Sequence, residues 1–174
     1  MRGFKRLGLC LGMGVVATSS WSATAHAEET HLRTTLESKG ERQALGRALA
    51  GAVRRLERPG CQRIFREFKD VSGRTLQEGL DAVGQDGASY LQGWVVFADG
   101  QRETRCADTR VLAFTQPGSR SVWICGRRFA WEQRKDPTYA EVVLIHEALH
   151  VLGLGENPPS AAAISRQVEA RCGG

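Results

Sequence analysis

The feature that most constrains the fold is a long apolar segment from Ala140 to Leu152. Asp136 can cap a helix that begins just before this segment, Pro137 suits the first helical position, and Gly153 marks the end. Because hydrophobic residues cover nearly the whole circumference, such a helix must be buried on most sides. We therefore expect a helix over about residues 138–152, with the rest of the chain packed around it.

The first 27 residues have the pattern of a secretory signal peptide. A basic start is followed by an apolar run from Leu7 to Ala17 and by the small-x-small site Ala25-His26-Ala27, which a signal peptidase cuts. We expect residues 1–27 to be removed and residues 28–174 to form a single domain that is secreted or periplasmic. No later stretch has the roughly 20 uninterrupted apolar residues of a membrane span.

Charge gives little reason to expect binding to nucleic acid. The whole chain has 24 basic and 19 acidic side chains, but Arg2, Lys5 and Arg6 lie in the leader, so the remainder is close to neutral. Nucleic-acid-binding surfaces are usually strongly and locally basic. We therefore expect no nucleic-acid partner.

Four cysteines remain once the leader is removed, namely Cys61, Cys106, Cys125 and Cys172. An even number in an exported chain suggests two disulfides, and no Cys-x-x-Cys spacing indicates a zinc knuckle or redox site. Of the three possible pairings we favour Cys106 with Cys125, at opposite ends of a predicted hairpin region. Cys61 with Cys172 would then join the C-terminal tail to the N-terminal half.

Hydrophobic periodicity predicts an α+β fold. The predicted elements are helices at 41–56, 62–69 and 73–83, strands at 91–98, 110–115 and 121–125, and a last helix capped by Ser160. Residues 28–40 are polar and end in Gly40, so we expect a flexible arm there. The strands should form a small, mostly antiparallel sheet within residues 91–131, beside the buried helix and its flanking helices.

Three titratable side chains interrupt the apolar helix, in the pattern HEALH at residues 146–150. His146 and His150 are four residues apart on one helix face, so both imidazoles can reach one Zn²⁺. Glu147 lies to one flank, where it can accept a proton from water at the metal and pass it to a leaving amine. Titratable groups in so apolar a helix are costly unless they share a partner. The pattern therefore predicts a metal site.

This pattern resembles the zinc-binding motif of the zincin metallopeptidases. Extended to Glu156, it is similar to the metzincin signature HExxHxxGxxH with Glu in the last place. The resemblance implies a buried zincin active-site helix and a catalytic Zn²⁺ held by His146, His150 and Glu156, with Glu147 as the general base.

The position of Glu156 depends on the turn after the helix. Six residues beyond His150, it would lie about 9 Å farther along a straight helix and on another face. A left-handed turn at Gly153 could return it to the metal. The chain departs from metzincins in having no Met-turn, since no methionine follows the motif. The string from Gly153 to Ser160 also resembles a family of small exported bacterial metallopeptidases, a likeness that extends less specifically back to about Gly93.

A second zincin arrangement stays open at this stage. In gluzincins the third ligand is a Glu on a later helix, and Glu169 lies 19 residues after His150 on such a helix. The turn at Gly153 favours Glu156, because it gives that residue a mechanical route to the metal. Tyr139 could stabilise an oxyanion, and Asn157 could cap the turn or bind substrate backbone.

The sequence thus predicts an exported zinc metallopeptidase that hydrolyses peptide bonds. We expect a peptide or protein substrate, no membrane span, and a monomer. By the zincin analogy the substrate would lie extended along a sheet edge, near the strand at 121–125. Two alternatives remain: a non-catalytic exported binding or structural protein whose metal holds the fold, and a cell-wall peptide amidase that uses the same site.

Overall fold

The computed structural model of the protein describes residues 32–174. The predicted signal peptide, residues 1–27, lies outside the described residues. The helices are α1 (Lys39–Leu56), α2 (Pro59–Gln62), α3 (Ile64–Glu67), α4 (Leu76–Ala82), α5 (Gly87–Gly93), α6 (Gly126–Lys135), α7 (Pro137–Val151) and α8 (Ala161–Cys172). The strands are β1 (Val96–Asp99), β2 (Ala113–Phe114) and β3 (Ser121–Ile124), and a 3₁₀ turn lies at Thr104–Ala107. The predicted α+β fold class is confirmed.

Helix α7 is the buried helix expected from the sequence. The Asp136 side chain caps it by accepting a hydrogen bond from the Tyr139 backbone N–H at 3.0 Å. Ten of its 15 residues are buried, and it contacts α1, α6, α8, β2 and β3. An ion pair of 2.5 Å between Arg55 on α1 and Glu141 joins the two longest helices. Among the helices of residues 32–174, none is long and apolar enough to cross a membrane.

The sheet is mixed rather than mostly antiparallel. Its strand order is β1-β3-β2, with β1 parallel to β3 and β2 antiparallel to β3. The parallel pair arises because the chain crosses over from β1 to β3 through the 3₁₀ turn and β2, whereas a tight hairpin would give an antiparallel pair. As a consequence, β3 is the central strand. The predicted substrate edge at 121–125 is therefore wrong, and β2 lies at one edge.

Two segments predicted as part of the sheet are helical. The predicted strand at 91–98 begins instead in α5, which Asp86 caps by accepting a hydrogen bond from the Ser89 backbone N–H at 2.8 Å. Only residues from Val96 onward form β1. The sheet also ends before 131, because α6 begins at Gly126.

The predicted flexible arm at 28–40 is ordered along its described part. Phe97 in β1 donates its N–H to the Arg33 carbonyl at 2.8 Å and accepts a hydrogen bond from the Thr35 N–H at 3.0 Å. Leu36 is buried in the core, and α1 begins at Lys39. The unpaired backbone groups of an edge strand need partners, and this segment supplies them for β1.

Both predicted disulfides are present. Cys61 of α2 is bonded to Cys172 at the end of α8, and Cys106 of the 3₁₀ turn is bonded to Cys125, which directly precedes α6. The first bond joins the last helix to α2 in the N-terminal half of the chain. The second anchors the crossover segment beside the sheet.

The two disulfides should contribute unequally to stability. Loop-closure entropy grows with loop length, and the bonds span 111 and 19 residues respectively. Replacing Cys61 and Cys172 by Ala should cost about 5 kcal/mol and replacing Cys106 and Cys125 about 3 kcal/mol. Urea unfolding of the two double variants measures this difference. A larger loss for the Cys106/Cys125 variant would contradict the assignment of the longer bond as the main constraint.

Candidate metal centre

Helix α7 brings its two histidines together at its C-terminal end. The Nε2 atoms of His146 and His150 are 3.0 Å apart, and both side chains are buried. Their four-residue spacing places them on one helix face, one turn apart. The same ring nitrogen of both imidazoles thus lies in one small region.

The turn after α7 brings Glu156 to the same point. Gly153 has a φ of 103°, a left-handed conformation that favours glycine, and its N–H donates to the His150 carbonyl at 2.8 Å. The chain reverses there, so that Glu156 Oε1 lies 3.3 Å from His150 Nε2. The predicted hinge at Gly153 is confirmed.

A loop from the N-terminal half braces this turn. The Val71 N–H donates to the Gly153 carbonyl at 3.1 Å, and a Cβ built at Gly153 would lie 3.1 Å from the Asp70 Cβ. Asp70 Oδ1 accepts hydrogen bonds from the backbone N–H groups of Ser72 and Arg74, which hold the loop closed. Sequence analysis missed this contact, because the loop is about 80 residues away along the chain.

Each histidine has a partner on its other ring nitrogen. The Leu154 carbonyl lies 2.7 Å from His150 Nδ1 and can only accept, so Nδ1 carries a proton and Nε2 is the nitrogen that can bind a metal. His146 Nδ1 lies 3.1 Å from the Ser165 hydroxyl on α8, which can donate or accept. In the metal-free protein the two Nε2 atoms lie at hydrogen-bond distance from each other. With a metal bound to Nε2, His146 Nδ1–H would donate to Ser165.

The three side chains have the donor chemistry and spacing of a metal site. One ligand atom from each of His146, His150 and Glu156 lies within 4.8 Å of the others. Two ligands about 2.0–2.1 Å from a tetrahedral ion are about 3.3–3.4 Å apart. The observed 3.0 Å and 3.3 Å separations differ from this by at most a few tenths of an ångström. A His₂Glu group that could hold a metal ion is therefore present.

Burial shifts the titration of the site. It lowers the pKa of His146 to about 4, with the charge of His150 adding to the effect, so His146 is neutral at pH 7 as a ligand must be. Burial also raises the pKa of Glu147 to about 8, supported by the nearby Glu156 and opposed by Arg105 and the Thr115 backbone. Glu147 is 7% exposed and is outside the group of donor atoms.

The centre lies in a cleft of about 400 Å³ between α7, α8 and the crossover segment. Strand β2 and its neighbours form one wall, and Ala161 and Ser165 of α8 contribute to the cleft lining. The side chains in the cleft that could contact a ligand are Arg105, Asp108, Arg110, Phe114, Thr115, Tyr139, Glu147 and Glu156. The His₂Glu group is thus accessible to a ligand from the cleft and is not enclosed in the core.

The other sequence candidates differ in their positions. Glu169 is exposed on α8 and does not belong to the His₂Glu group found among residues 32–174. Tyr139 lines the cleft, and burial raises the pKa of its hydroxyl, together with the charges of Glu132 and Glu169. Asn157 has a φ of 62° and donates its N–H to the Pro159 carbonyl, so it shapes the turn after Glu156.

Comparisons of the chain with protein-family models, with curated proteins and with solved structures found no match.

The metal-free protein should become less stable as the pH rises from about 4.5 to about 8, where the Glu147 carboxyl is ionised in the unfolded chain but still protonated in the folded one. The unfolded carboxyl titrates near 4.5, whereas the folded one stays protonated up to about pH 8, so Glu147 lowers the free energy of unfolding across this pH range. The stability of Glu147→Gln relative to wild type should therefore rise by a few kcal/mol between pH 5 and pH 8, since one pKa unit is about 1.4 kcal/mol.

Urea unfolding in the presence of a chelator measures this change. The exposed Glu169→Gln provides a control, for which the difference from wild type should be equal at both pH values. An equal difference for Glu147→Gln would contradict the raised pKa.

Proposed function

We propose that the protein is an exported zinc metallopeptidase of the zincin type that hydrolyses peptide bonds. The observation that carries this proposal is the division of roles among four neighbouring side chains. His146, His150 and Glu156 direct ligand atoms at one point, while Glu147 lies beside them in the same cleft without joining the donor set. A purely structural metal site needs no such additional carboxylate.

The donor set fits zinc. Two imidazoles and one carboxylate, with a further position open, are a known catalytic zinc set. Zinc, when bound, would polarise a scissile carbonyl and lower the pKa of water at the site. The contacts from Leu154 and Ser165 to the two Nδ1 atoms orient the imidazoles, as partners beyond the ligands commonly do in zinc sites.

Glu147 is suited to move the proton in this reaction. Burial and the neighbouring Glu156 raise the pKa of its carboxyl to about 8, which makes it a stronger base than an exposed glutamate. In the proposed mechanism it accepts a proton from the attacking water and donates that proton to the leaving amine. A Zn²⁺ ion bound nearby would lower the pKa of Glu147 and favour its ionised form at neutral pH.

Strand β2 offers a site for an extended peptide. Phe114 is paired with Trp123, and the Leu112 carbonyl accepts a hydrogen bond from the Cys125 N–H at 2.9 Å. In an antiparallel ladder the residue between these pairs, Ala113, directs its N–H and C=O away from the partner strand. A peptide that pairs with Ala113 would lie in the cleft beside Glu147.

The disulfides support the proposed location. Such bonds form and persist mainly in oxidising compartments outside the cytosol. Two of them, joining Cys61 to Cys172 and Cys106 to Cys125, agree with the secretion or periplasmic location expected from the leader pattern.

Zinc binding should depend on the three proposed ligands. We expect about one Zn²⁺ per chain, lost or strongly weakened in His146→Ala, His150→Ala and Glu156→Ala. Glu169→Ala is the matched control and should bind zinc like the wild type, because Glu169 is exposed outside the group. Metal analysis after dialysis checks this. Loss of zinc in Glu169→Ala with retention in Glu156→Ala would favour the gluzincin arrangement instead.

Glu147→Gln should separate catalysis from metal binding. The change removes the proton acceptor with almost no change of volume, so zinc content should stay at the wild-type level. Cleavage of a mixed peptide library should fall by about 10² to 10⁴-fold. Unchanged cleavage by this variant would contradict the mechanism. Zinc-loaded wild-type protein that cleaves no peptide would favour the alternative of a structural metal protein.

A further inference from the structure

Arg105 is an arginine on the wall of the cleft. It lies in the 3₁₀ turn Thr104–Ala107 and is exposed. Its guanidinium carbon is 5.5 Å from the ring centroid of Phe114 in β2, and it lines the same cleft as Glu147. Its positive charge acts to lower the pKa of the Glu147 carboxyl and so favours the ionised form of that group. The guanidinium therefore lies near both the proposed general base and the proposed peptide-binding strand.

The segment that carries Arg105 is firmly held. Cys106, the next residue, is bonded to Cys125. Arg128 of α6 donates hydrogen bonds to the carbonyls of Cys106, Asp108 and Val111 at 3.2, 2.6 and 2.7 Å. Three hydrogen bonds from the Arg128 side chain and a disulfide thus fix the backbone directly after Arg105. Its guanidinium lines the cleft.

The second arginine on this wall provides a contrast. Arg110 forms an ion pair of 2.8 Å with Asp108 and also hydrogen-bonds to it through Nε. Within residues 32–174, by comparison, no acceptor is hydrogen-bonded to the Arg105 side chain, and no carboxylate forms an ion pair with it. Phe114 contacts its guanidinium as an aromatic ring, which leaves the N–H groups without acceptors.

We propose that Arg105 binds a carboxylate of the substrate and so makes the cleft selective for peptides that carry one near the scissile bond. This inference rests on the proposed peptidase function and specifies its substrate class. A guanidinium presents N–H donors in a planar arrangement that matches the two oxygens of a carboxylate. Because its backbone is fixed, Arg105 would also set how far that carboxylate lies from the metal centre. The carboxylate can belong to an acidic side chain or to the peptide C-terminus.

Binding rather than cleavage tests this proposal. The test uses the zinc-loaded Glu147→Gln protein, in which bound peptides stay intact, and fluorescein-labelled octapeptides of one neutral sequence. One arm compares Glu with Gln at each position of the peptide in turn, with the C-terminus amidated throughout. The other arm compares free with amidated C-termini in the all-neutral peptide. Fluorescence anisotropy gives the dissociation constants.

In at least one of the two arms, we expect the peptide that carries the carboxylate to bind about tenfold more tightly than its neutral counterpart. A factor of this order is usual for a charge-assisted hydrogen bond. Adding Arg105→Gln should abolish this preference. Adding Arg102→Gln, which removes the same charge from an exposed residue that does not line the cleft, should preserve it. Arg105→Glu should reverse the preference toward peptides with Lys in place of Glu.

The outcomes separate this inference from the proposed function. No measurable peptide binding, no carboxylate preference, or a preference that survives Arg105→Gln would each overturn the role of Arg105. None of these results would decide whether the wild-type protein cleaves peptides in the mixed-library assay. A preference in the side-chain arm alone would identify an acidic residue as the ligand, and one in the C-terminal arm alone would identify the terminal carboxylate.

Discussion

An α-helix alone cannot bring a residue six positions beyond its last histidine back to that histidine, and the whole candidate site depends on how this chain overcomes that limit. The left-handed turn at Gly153 reverses the backbone directly after α7. The same reversal brings the Leu154 carbonyl to His150 Nδ1 and the Glu156 carboxylate to His150 Nε2. The conformation of Gly153 therefore both orients the His150 imidazole and brings Glu156 to the site as the third donor.

The rest of the fold holds this helix and its turn in place. Helices α1 and α6 and the small sheet bury α7, so that its histidines are largely desolvated and His146 stays neutral. The Val71 N–H holds the turn from one side, and Ser165 on α8 contacts His146 from the other. The Cys61–Cys172 bond fixes the end of α8 to α2. Elements from both ends of the described chain thus converge on one cluster of four titratable side chains.

Local signals in the sequence predicted most of this arrangement, whereas long-range packing produced what they missed. The Asp136 cap, the apolar run and Gly153 defined α7 and its turn, because each acts within a few residues. The mixed sheet and the central position of β3 depend on how distant segments pair, which periodicity cannot show. The helix at 126–135 does carry a local signal, since Phe129, Ala130 and Gln133 form one buried face, and the sequence prediction missed it. The contact of Val71 with Gly153 joins distant segments, that of Ser165 with His146 joins two successive helices, and neither residue belongs to a motif.

The central claim is that His146, His150 and Glu156 bind one metal ion and that Glu147 faces it without binding. Anomalous diffraction from crystals of the zinc-loaded protein tests this most directly. The account predicts one strong zinc peak about 2.0–2.2 Å from Nε2 of both histidines and from a Glu156 oxygen, with no bond to Glu147. A zinc peak elsewhere, or one bonded to Glu147 or to a fourth protein side chain that closes the site, would contradict it.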